Sequence, residues 1–434
     1  MKPFSVVTLG CKVNQCESAA LAGLLESAGY LPAAPGESNN LVVINTCTVT
    51  AKAAMQSRQA IRKAVRNNPH AVIVVTGCYA QTAPDDIQQI EGVHYVVGHG
   101  DKLRIAELAC GAGPKPAAPA VVCHDIKREC RFESFSSVAP DARTRAFLKI
   151  QDGCNAFCTY CIVPYARGRS RSMPADDVRL HLDRLVGDGF REVVLTGIHL
   201  GAYGKDLTPR TSLAELVASV AQDKNMLRMR FSSIEPTEVA SELIRLMAAP
   251  QTPLCPHWHI PLQSGDDGIL KRMGRPYTRK RFSRTIADIH RTTPHAAIGA
   301  DILVGFPGED DAAFERTLAL VEQLPVSYLH VFPFSPRKGT PAAGFKPKVQ
   351  ESIVKQRCTL LRQLGEEKKA RFCHANVGRT VQVLIESAGS GYARGLSENY
   401  LPVVIPEAGQ AVNSLVRARI ERVEGDLTVI ARKV

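Results

Sequence analysis

The stretch at residues 151–172, QDGCNAFCTYCIVPYARGRSRS, carries Cys154, Cys158 and Cys161 in the spacing C-x3-C-x2-C, followed by Arg167, Arg169 and Arg171. A structural zinc site takes four ligands, usually as two C-x2-C pairs. This loop offers one such pair and an offset third thiol, and His181 and His199 lie too far along the chain to be assumed as a fourth ligand. Three thiolates suit a cubane [4Fe-4S] cluster that keeps one iron open for another molecule. An unusual zinc site is the alternative that spacing alone leaves standing.

Working outward, a length of 434 residues calls for two or three domains. Hydrophobic content of 45% and charged content of 22% are those of a globular chain and exclude wholesale disorder. The net charge of +12 suits a polyanionic partner such as nucleic acid. No apolar run approaches the roughly 18 residues of a spanning helix, and the opening MKPFSVVTLGCKVNQ has no signal-peptide pattern, so a cytoplasmic protein without a membrane segment is expected. In that reducing compartment, thirteen cysteines point to metal or catalysis more than to disulfides.

The first hundred residues alternate short apolar runs with amphipathic helices. FSVVTLG ends at Cys11, NLVVINT at Cys47 and AVIVVTG at Cys78. This is the signature of βαβ units and a parallel sheet, in which ligands bind beyond the carboxyl ends of the strands. Cys11, Cys47 and Cys78 therefore converge in space although they are far apart in sequence. Three unrelated core cysteines are the bland alternative.

Residues 113–140, rich in Pro, Ala and Gly, read as a linker. Strands are expected at AFLKIQDG, EVVLTGIHL, LRMRFSSI, HWHIPL, AIGADILVGF and YLHVFPF, separated by helical patterns. Six βα units over residues 141–370 predict a partial (β/α)6 barrel. A basic helical stretch then leads into a small antiparallel β-barrel over residues 371–434. The fold class is thus α/β: a parallel domain at 1–112, a central partial barrel and a C-terminal barrel.

Here the motifs resemble a known family. The cysteine spacing, with Tyr160 before the last cysteine and a partial barrel around it, is similar to the radical S-adenosylmethionine enzymes. TLGCKVNQCES, INTCTVTAKA and VTGCYAQ resemble the cluster-binding domain of the methylthiotransferases, while IPLQSGDDGILKRMGRPYT, ADILVGFPGE and VFPFSPRKGTPAA resemble their catalytic domain. The C-terminal section resembles the TRAM domain, a nucleic-acid-binding barrel. The resemblance implies two [4Fe-4S] clusters and S-adenosylmethionine as cofactors. One cluster, on Cys154, Cys158 and Cys161, would generate a 5′-deoxyadenosyl radical; the other, on Cys11, Cys47 and Cys78, would present sulfur.

The resemblance implies replacement of the adenine carbon-2 C–H bond by C–S–CH3, and a primary carbon radical suits that target because its hydrogen is neither acidic nor electrophilically activated, so general acid–base groups cannot remove it near pH 7. The segment CKVN resembles the branch acting on N6-threonylcarbamoyladenosine at tRNA position 37, beside the anticodon; the isopentenyladenosine branch more often has a Gln-Met pair there. The alternatives are that branch, a methylthiotransferase of a ribosomal-protein aspartate, and a zinc-stabilised RNA-binding protein without catalysis. Implied partners are the tRNA anticodon stem-loop, an electron donor and a sulfur source.

The resemblance places S-adenosylmethionine along the strand ends, at Tyr160, Thr196, Gly197, Ser233, Glu235, Gln263, Ser264 and Gly305. Arg167, Arg169 and Arg171 suit phosphates or a carboxylate. Arg58, Arg62 and Arg66 recur every four residues with no acidic residue among residues 52–66, a helical stripe suited to an RNA backbone or to solvent. Tyr392, Arg394 and Tyr400 in the last section suit stacking on loop bases. His257, Trp258 and His259 read as core or pocket wall. Cys16 stands where the family pattern has tyrosine and reads as core, and Cys110, Cys123, Cys130, Cys255, Cys358 and Cys373 as buried or incidental thiols.

Overall fold

The computed structural model describes residues 2–34, 36–110, 116, 118–133, 144–222, 227–406 and 409–434. Packing divides the chain into two compact units. The first comprises residues 1–140, 149–173 and 335–343; the second comprises 141–148, 174–334 and 344–434. The loop with Cys154, Cys158 and Cys161, expected in the central barrel domain, thus packs in the same unit as the amino-terminal residues.

The first unit is built on a six-stranded parallel sheet in the order β2-β1-β3-β4-β5-β6, with β1 Lys2–Thr8, β2 Tyr30–Pro32, β3 Leu41–Thr46, β4 Val72–Gly77, β5 Tyr95–Val97 and β6 Ala120–Val122. Strand β3 is buried along its whole length because helices cover both faces. Val42 and Ile44 pack with Ile61, Ile73 and Val75 on one side. Leu41 and Val43 pack with Leu21, Leu25 and Val74 on the other. The helix Ala51–Asn67 starts where Thr50 caps it, its side chain accepting from Ala53 N.

The segment expected as a linker is more than that. Residues 120–122 add the edge strand β6, register Tyr95↔Ala120, and Ile126 is buried. A three-residue edge strand shows no period of its own, which is why composition hides it. Residues 113–115, 117 and 134–140 of that stretch lie outside the described residues.

Strand β7 Arg145–Asp152 passes from the second unit into the first, where Gln151 and Asp152 pair with Ser172 and Arg171 of β8 Arg171–Ser172. In the second unit, β9 Glu192–Gly197 and β10 Arg228–Phe231 pair in parallel. Strands β11 His257–His259, β12 Ala297–Val304 and β13 Tyr328–Pro333 form a parallel sheet in that order. Ile234 N donates to His259 O, so β10 leads on to β11. All six expected strands are present, each followed by helical structure, as in an open (β/α) arrangement.

The 25-residue helix Glu351–Ala375 leads to a closed barrel, β14-β15-β16-β18-β17, made of β14 Thr380–Gly389, β15 Tyr392–Ser397, β16 Pro402–Ile405, β17 Leu415–Val423 and β18 Val429–Lys433. It is antiparallel except for the β16–β18 pair. Two buried arginines tie this barrel to β9 and β10. Arg228 donates to Gln382 O and Leu396 O at 2.7 and 3.0 Å, and Arg230 to Glu398 O and Ser397 O at 3.0 and 3.1 Å. Both also bond Glu192, which balances their charge.

Candidate cluster and cofactor sites

Cys11, Cys47 and Cys78 follow β1, β3 and β4, three neighbouring strands of one sheet. The register Thr8↔Asn45 and Thr46↔Gly77 brings the three strand ends level. Gly10, at φ +101°, is required twice over: a Cβ there would stand 2.8 Å from the Cys47 Cβ, and the backbone is in the region that favours glycine. Cys11 is exposed, whereas Cys47 and Cys78 are buried. Burial pushes the Cys78 thiol up to about 12 against the opposing pull of Arg167. Cys47 is raised by burial too, and the Val49 amide opposes it. Deprotonating these thiols therefore needs a cation to take their charge, which a metal cluster supplies.

Behind the thiols lies a buried ionic network. Glu17 meets Arg167 at 2.8 Å, Lys149 at 3.4 Å, and Lys102. Asp152 meets Arg167 at 2.9 Å and Lys149 at 3.1 Å. Burial opposes ionisation of Glu17, but Arg167, Lys102 and Lys149 outweigh it and hold the carboxyl well below its ordinary range. Arg167 extends this network toward the thiols. Its Nη2 donates to Asn14 Oδ1 at 2.6 Å; burial opposes its charge, and Glu17 and Asp152 outweigh that cost. Asn14 in turn bonds Leu9 O and Thr46 O, pinning the ends of β1 and β3. His99, kept neutral chiefly by burial, has Nε2 3.4 Å from Cys78 Sγ.

The second triad is built within one loop. Gly153, φ +69°, lies so close to the returning chain that a Cβ would stand 1.9 Å from Arg169 O. Cys154 N donates to Gly168 O at 3.1 Å, and Gln151 Nε2 closes the base through Asp152 O, Gly153 O and Ser170 Oγ. Phe157 takes φ +46°, a conformation uncommon outside glycine, and its ring meets Tyr165 edge-on at 5.9 Å. Cys158 is buried, and Cys154 and Cys161 are half-buried. The helix Val163–Arg167, directly after the loop, packs against the helix Cys78–Thr82, so both triads belong to one unit. Each presents three thiols, which fits a cluster with one open iron.

The segment 335–343 completes this unit. Ala342 N donates to Thr159 O at 2.9 Å, and Arg337 Nη2 to Thr48 Oγ1 at 2.6 Å beside Cys47. Arg337 was not among the expected site residues; its motif, VFPFSPRKGTPAA, is the only mark it leaves in the sequence.

Of the expected cofactor residues, Tyr160 lies in the first unit beside the cysteines. Thr196, Gly197, Ser233, Glu235, Gln263, Ser264 and Gly305 sit at or just beyond the ends of β9 to β12 in the second. Several have structural work there. Thr196 and Ser264 are buried, and Ser264 Oγ lies 3.4 Å from Thr317 Oγ1. Glu235 is paired with Arg275. Gln263 has φ +64° and bridges Asp301 and Leu303 through its backbone, and Gly305, φ +76°, leaves room for Val354. Ser233 and Gly197 keep some exposure.

Two expected RNA contacts are corrected by burial, and a third, Tyr400, is half-buried with its ring packed on other side chains. Arg167 and Arg171 are buried, and Arg171 donates to Arg167 O and Arg169 O. Tyr400 stacks on His257 at 4.2 Å, with Arg230 over its ring. Arg62, Arg66, Arg169, Tyr392 and Arg394 are exposed, and Arg58 bonds Tyr79 Oη at 3.1 Å. Cys16 is shielded, its thiol pushed up to about 12 chiefly by burial. Cys255, Cys358 and Cys373 are buried, Cys123 half-buried and Cys130 exposed; the side chain of Cys110 lies outside the described residues.

Two family profiles match this chain: "Uncharacterized protein family UPF0004" over residues 3–98 and "Radical SAM superfamily" over residues 148–321. Over 95% of its length the chain is 37% identical to the threonylcarbamoyladenosine tRNA methylthiotransferase MtaB of Aquifex aeolicus, covering 98% of that protein. The chain belongs to the radical SAM methylthiotransferase family. The MtaB of Bacillus subtilis is 36% identical over 95% of this chain and 92% of its own length. A tRNA-2-methylthio-N(6)-dimethylallyladenosine synthase of Pelotomaculum thermopropionicum is 34% identical over 96% and 94%. In fold, the chain is similar to the radical S-adenosylmethionine methyltransferase TsrM of Kitasatospora setae, solved with cobalamin and a [4Fe-4S] cluster, at TM-score 0.58 and 16% identity over 79% of this chain and 77% of that one. Radical SAM methylthiotransferase membership agrees with the α/β class, the partial barrel and the cluster chemistry expected from the cysteine motifs.

Proposed function

We propose that this enzyme inserts a methylthio group at carbon-2 of N6-threonylcarbamoyladenosine at position 37 of tRNA, in the cytoplasm. The observation that carries this is near-full-length similarity, at 36–37% identity, to MtaB enzymes, on a chain whose two cysteine triads fold into one unit. Among the described residues no helix is long and apolar enough to cross a membrane.

Cys154, Cys158 and Cys161 would hold the cluster that engages S-adenosylmethionine, and Cys11, Cys47 and Cys78 the one that delivers sulfur. When bound, these groups supply hydrogen-atom removal, sulfur and the methyl group. The protein's own share is positional. Gly153 and Gln151 fix the loop, Asn14 and Gly10 fix the strand ends, and the Glu17–Arg167–Asp152 network sets the charge behind the amino-terminal thiols. Thr196, Gly197, Ser233, Glu235, Gln263 and Tyr160 are the residues offered to the nucleoside cofactor. Arg58, Arg62, Arg66, Arg169, Tyr392 and Arg394 are offered to the anticodon stem-loop, and an electron donor and a sulfur source complete the system.

The test is reconstitution. The full chain, loaded anaerobically with iron and sulfide and given S-adenosylmethionine and a reductant, should convert a stem-loop carrying threonylcarbamoyladenosine to its 2-methylthio form. Product from an isopentenyladenosine stem-loop alone would overturn the assignment.

A further inference from the structure

The sheet β11–β12–β13 has one face turned to helices; Leu329, for example, lies against Gly365 of the helix Glu351–Ala375. Its other face carries His259, Asp301, Tyr328, His330 and Phe332, brought together by the register His259↔Gly299, Gly299↔Tyr328 and Asp301↔His330. Gly299 makes this possible, since a Cβ there would stand 2.2 Å from the Tyr328 ring. The ring lies across the strand, and its hydroxyl reaches His257 Nε2 at 2.7 Å and His259 Nδ1 at 3.3 Å. His259 Nε2 lies 2.8 Å from Asp301 Oδ1, so both its nitrogens are engaged. His330 Nδ1 lies 3.3 Å from the same oxygen.

The group is graded from a fixed base to an open tip. The side chain of His259 is 10% exposed, Asp301 21% and His330 51%, and Phe332, edge-on to His330 at 6.3 Å, is 46% exposed. Among the described residues His330 engages only one ring nitrogen, leaving Nε2 to the open side. The open Nε2 of His330 stands beside the Asp301 carboxylate, so the patch offers a ligand both an imidazole nitrogen and a carboxylate oxygen. Phe332 adds an aromatic edge.

We infer that this patch binds the polar N6 substituent of the target adenosine, with the threonyl carboxylate on His330 and the hydroxyl or urea N–H groups donating to Asp301. The inference rests on the proposed function and adds the residues that read the modification. An isopentenyl group would cover His330 and Asp301 without offering either a partner, and buried polar groups left unpaired reject a ligand strongly.

The experiment compares kcat/KM of the cluster-loaded full chain on stem-loops carrying threonylcarbamoyladenosine or isopentenyladenosine, for the wild type, His330→Phe and His330→Gln. The ratio of the two cancels any damage common to both substrates. His330→Phe should shift the ratio away from the threonylcarbamoyl substrate by roughly ten- to a hundredfold, with His330→Gln intermediate. The Kd of the threonylcarbamoyl stem-loop should rise with the same order of variants. An unchanged ratio in both variants, with the wild type preferring threonylcarbamoyladenosine, would overturn this inference alone. A wild type that prefers isopentenyladenosine would overturn the proposed function and this inference with it. One zinc or manganese per chain that is lost in Asp301→Asn would mark the trio as a metal site and also overturn it.

Discussion

The two cysteine triads present the same ligand set by opposite means. Cys11, Cys47 and Cys78 come from three separate βα units and meet only because β1, β3 and β4 are neighbours in register. Cys154, Cys158 and Cys161 come from one loop, shaped by Gly153 and closed by Gln151. The first site has one exposed and two buried thiols and is backed by five charged side chains; the second is local, with one buried and two half-buried thiols. A topological site fails when the sheet fails, and a local one fails when its loop bends. Which cluster is lost therefore reports which kind of construction was damaged.

The largest effects test that division of labour. Alanine at Cys154, Cys158 or Cys161 should abolish reductive cleavage of S-adenosylmethionine and product together. Alanine at Cys47 or Cys78 should abolish methylthiolation while cleavage persists, as followed by 5′-deoxyadenosine formation. If both sets lost cleavage alike, the two sites would not be separable.

Next come stabilities. Glu17→Gln leaves Arg167 and Lys149 with Asp152 as their buried carboxylate partner and takes from Lys102 the carboxylate it meets, and should destabilise the first unit by about 3–5 kcal/mol in urea melts. Gly153→Ala should cost about 1–3 kcal/mol, through φ +69° and the close approach to Arg169 O, and should weaken only the loop cluster. Equal loss of both clusters in Gly153→Ala would erase the contrast.

In the second unit, burial opposes ionisation of Glu192, but Arg230 and Arg228 prevail and lower its pKa. A lowered carboxyl pKa gives stability that is present above the unfolded value, near 4.3, and lost as pH falls below it. Unfolding midpoints should therefore drop below about pH 4, and in Glu192→Gln this acid dependence should flatten. The smallest effect is on RNA. Arg62→Gln with Arg66→Gln should weaken stem-loop binding a few-fold and lower the salt slope by about 1 for each arginine that meets a phosphate. An unchanged slope would assign the stripe to solvent.

Much of this was legible in the sequence. The βα alternation placed Cys11, Cys47 and Cys78 at strand ends, and spacing alone exposed the loop triad. What stayed hidden depends on register and burial. Arg167 and Arg171 alternate with small residues just as surface arginines do, and only the folded chain shows Glu17, 150 residues away, beneath Arg167. Tyr400 resembles an RNA-stacking residue until His257 is found against it. His259, Asp301 and His330 share a face because three strands align, and the alignment of separate strands is written in no one of them. Strand β6, three residues long and paired only with β5, is too short to show a period of its own.

Iron content tests most directly whether one chain holds two independent three-thiol clusters. The reconstituted wild type should carry about eight irons, and two triple variants, Cys11/Cys47/Cys78→Ala and Cys154/Cys158/Cys161→Ala, about four each with distinct electron paramagnetic resonance signals. Zinc in place of iron, or loss of all iron from either triple variant, would contradict it.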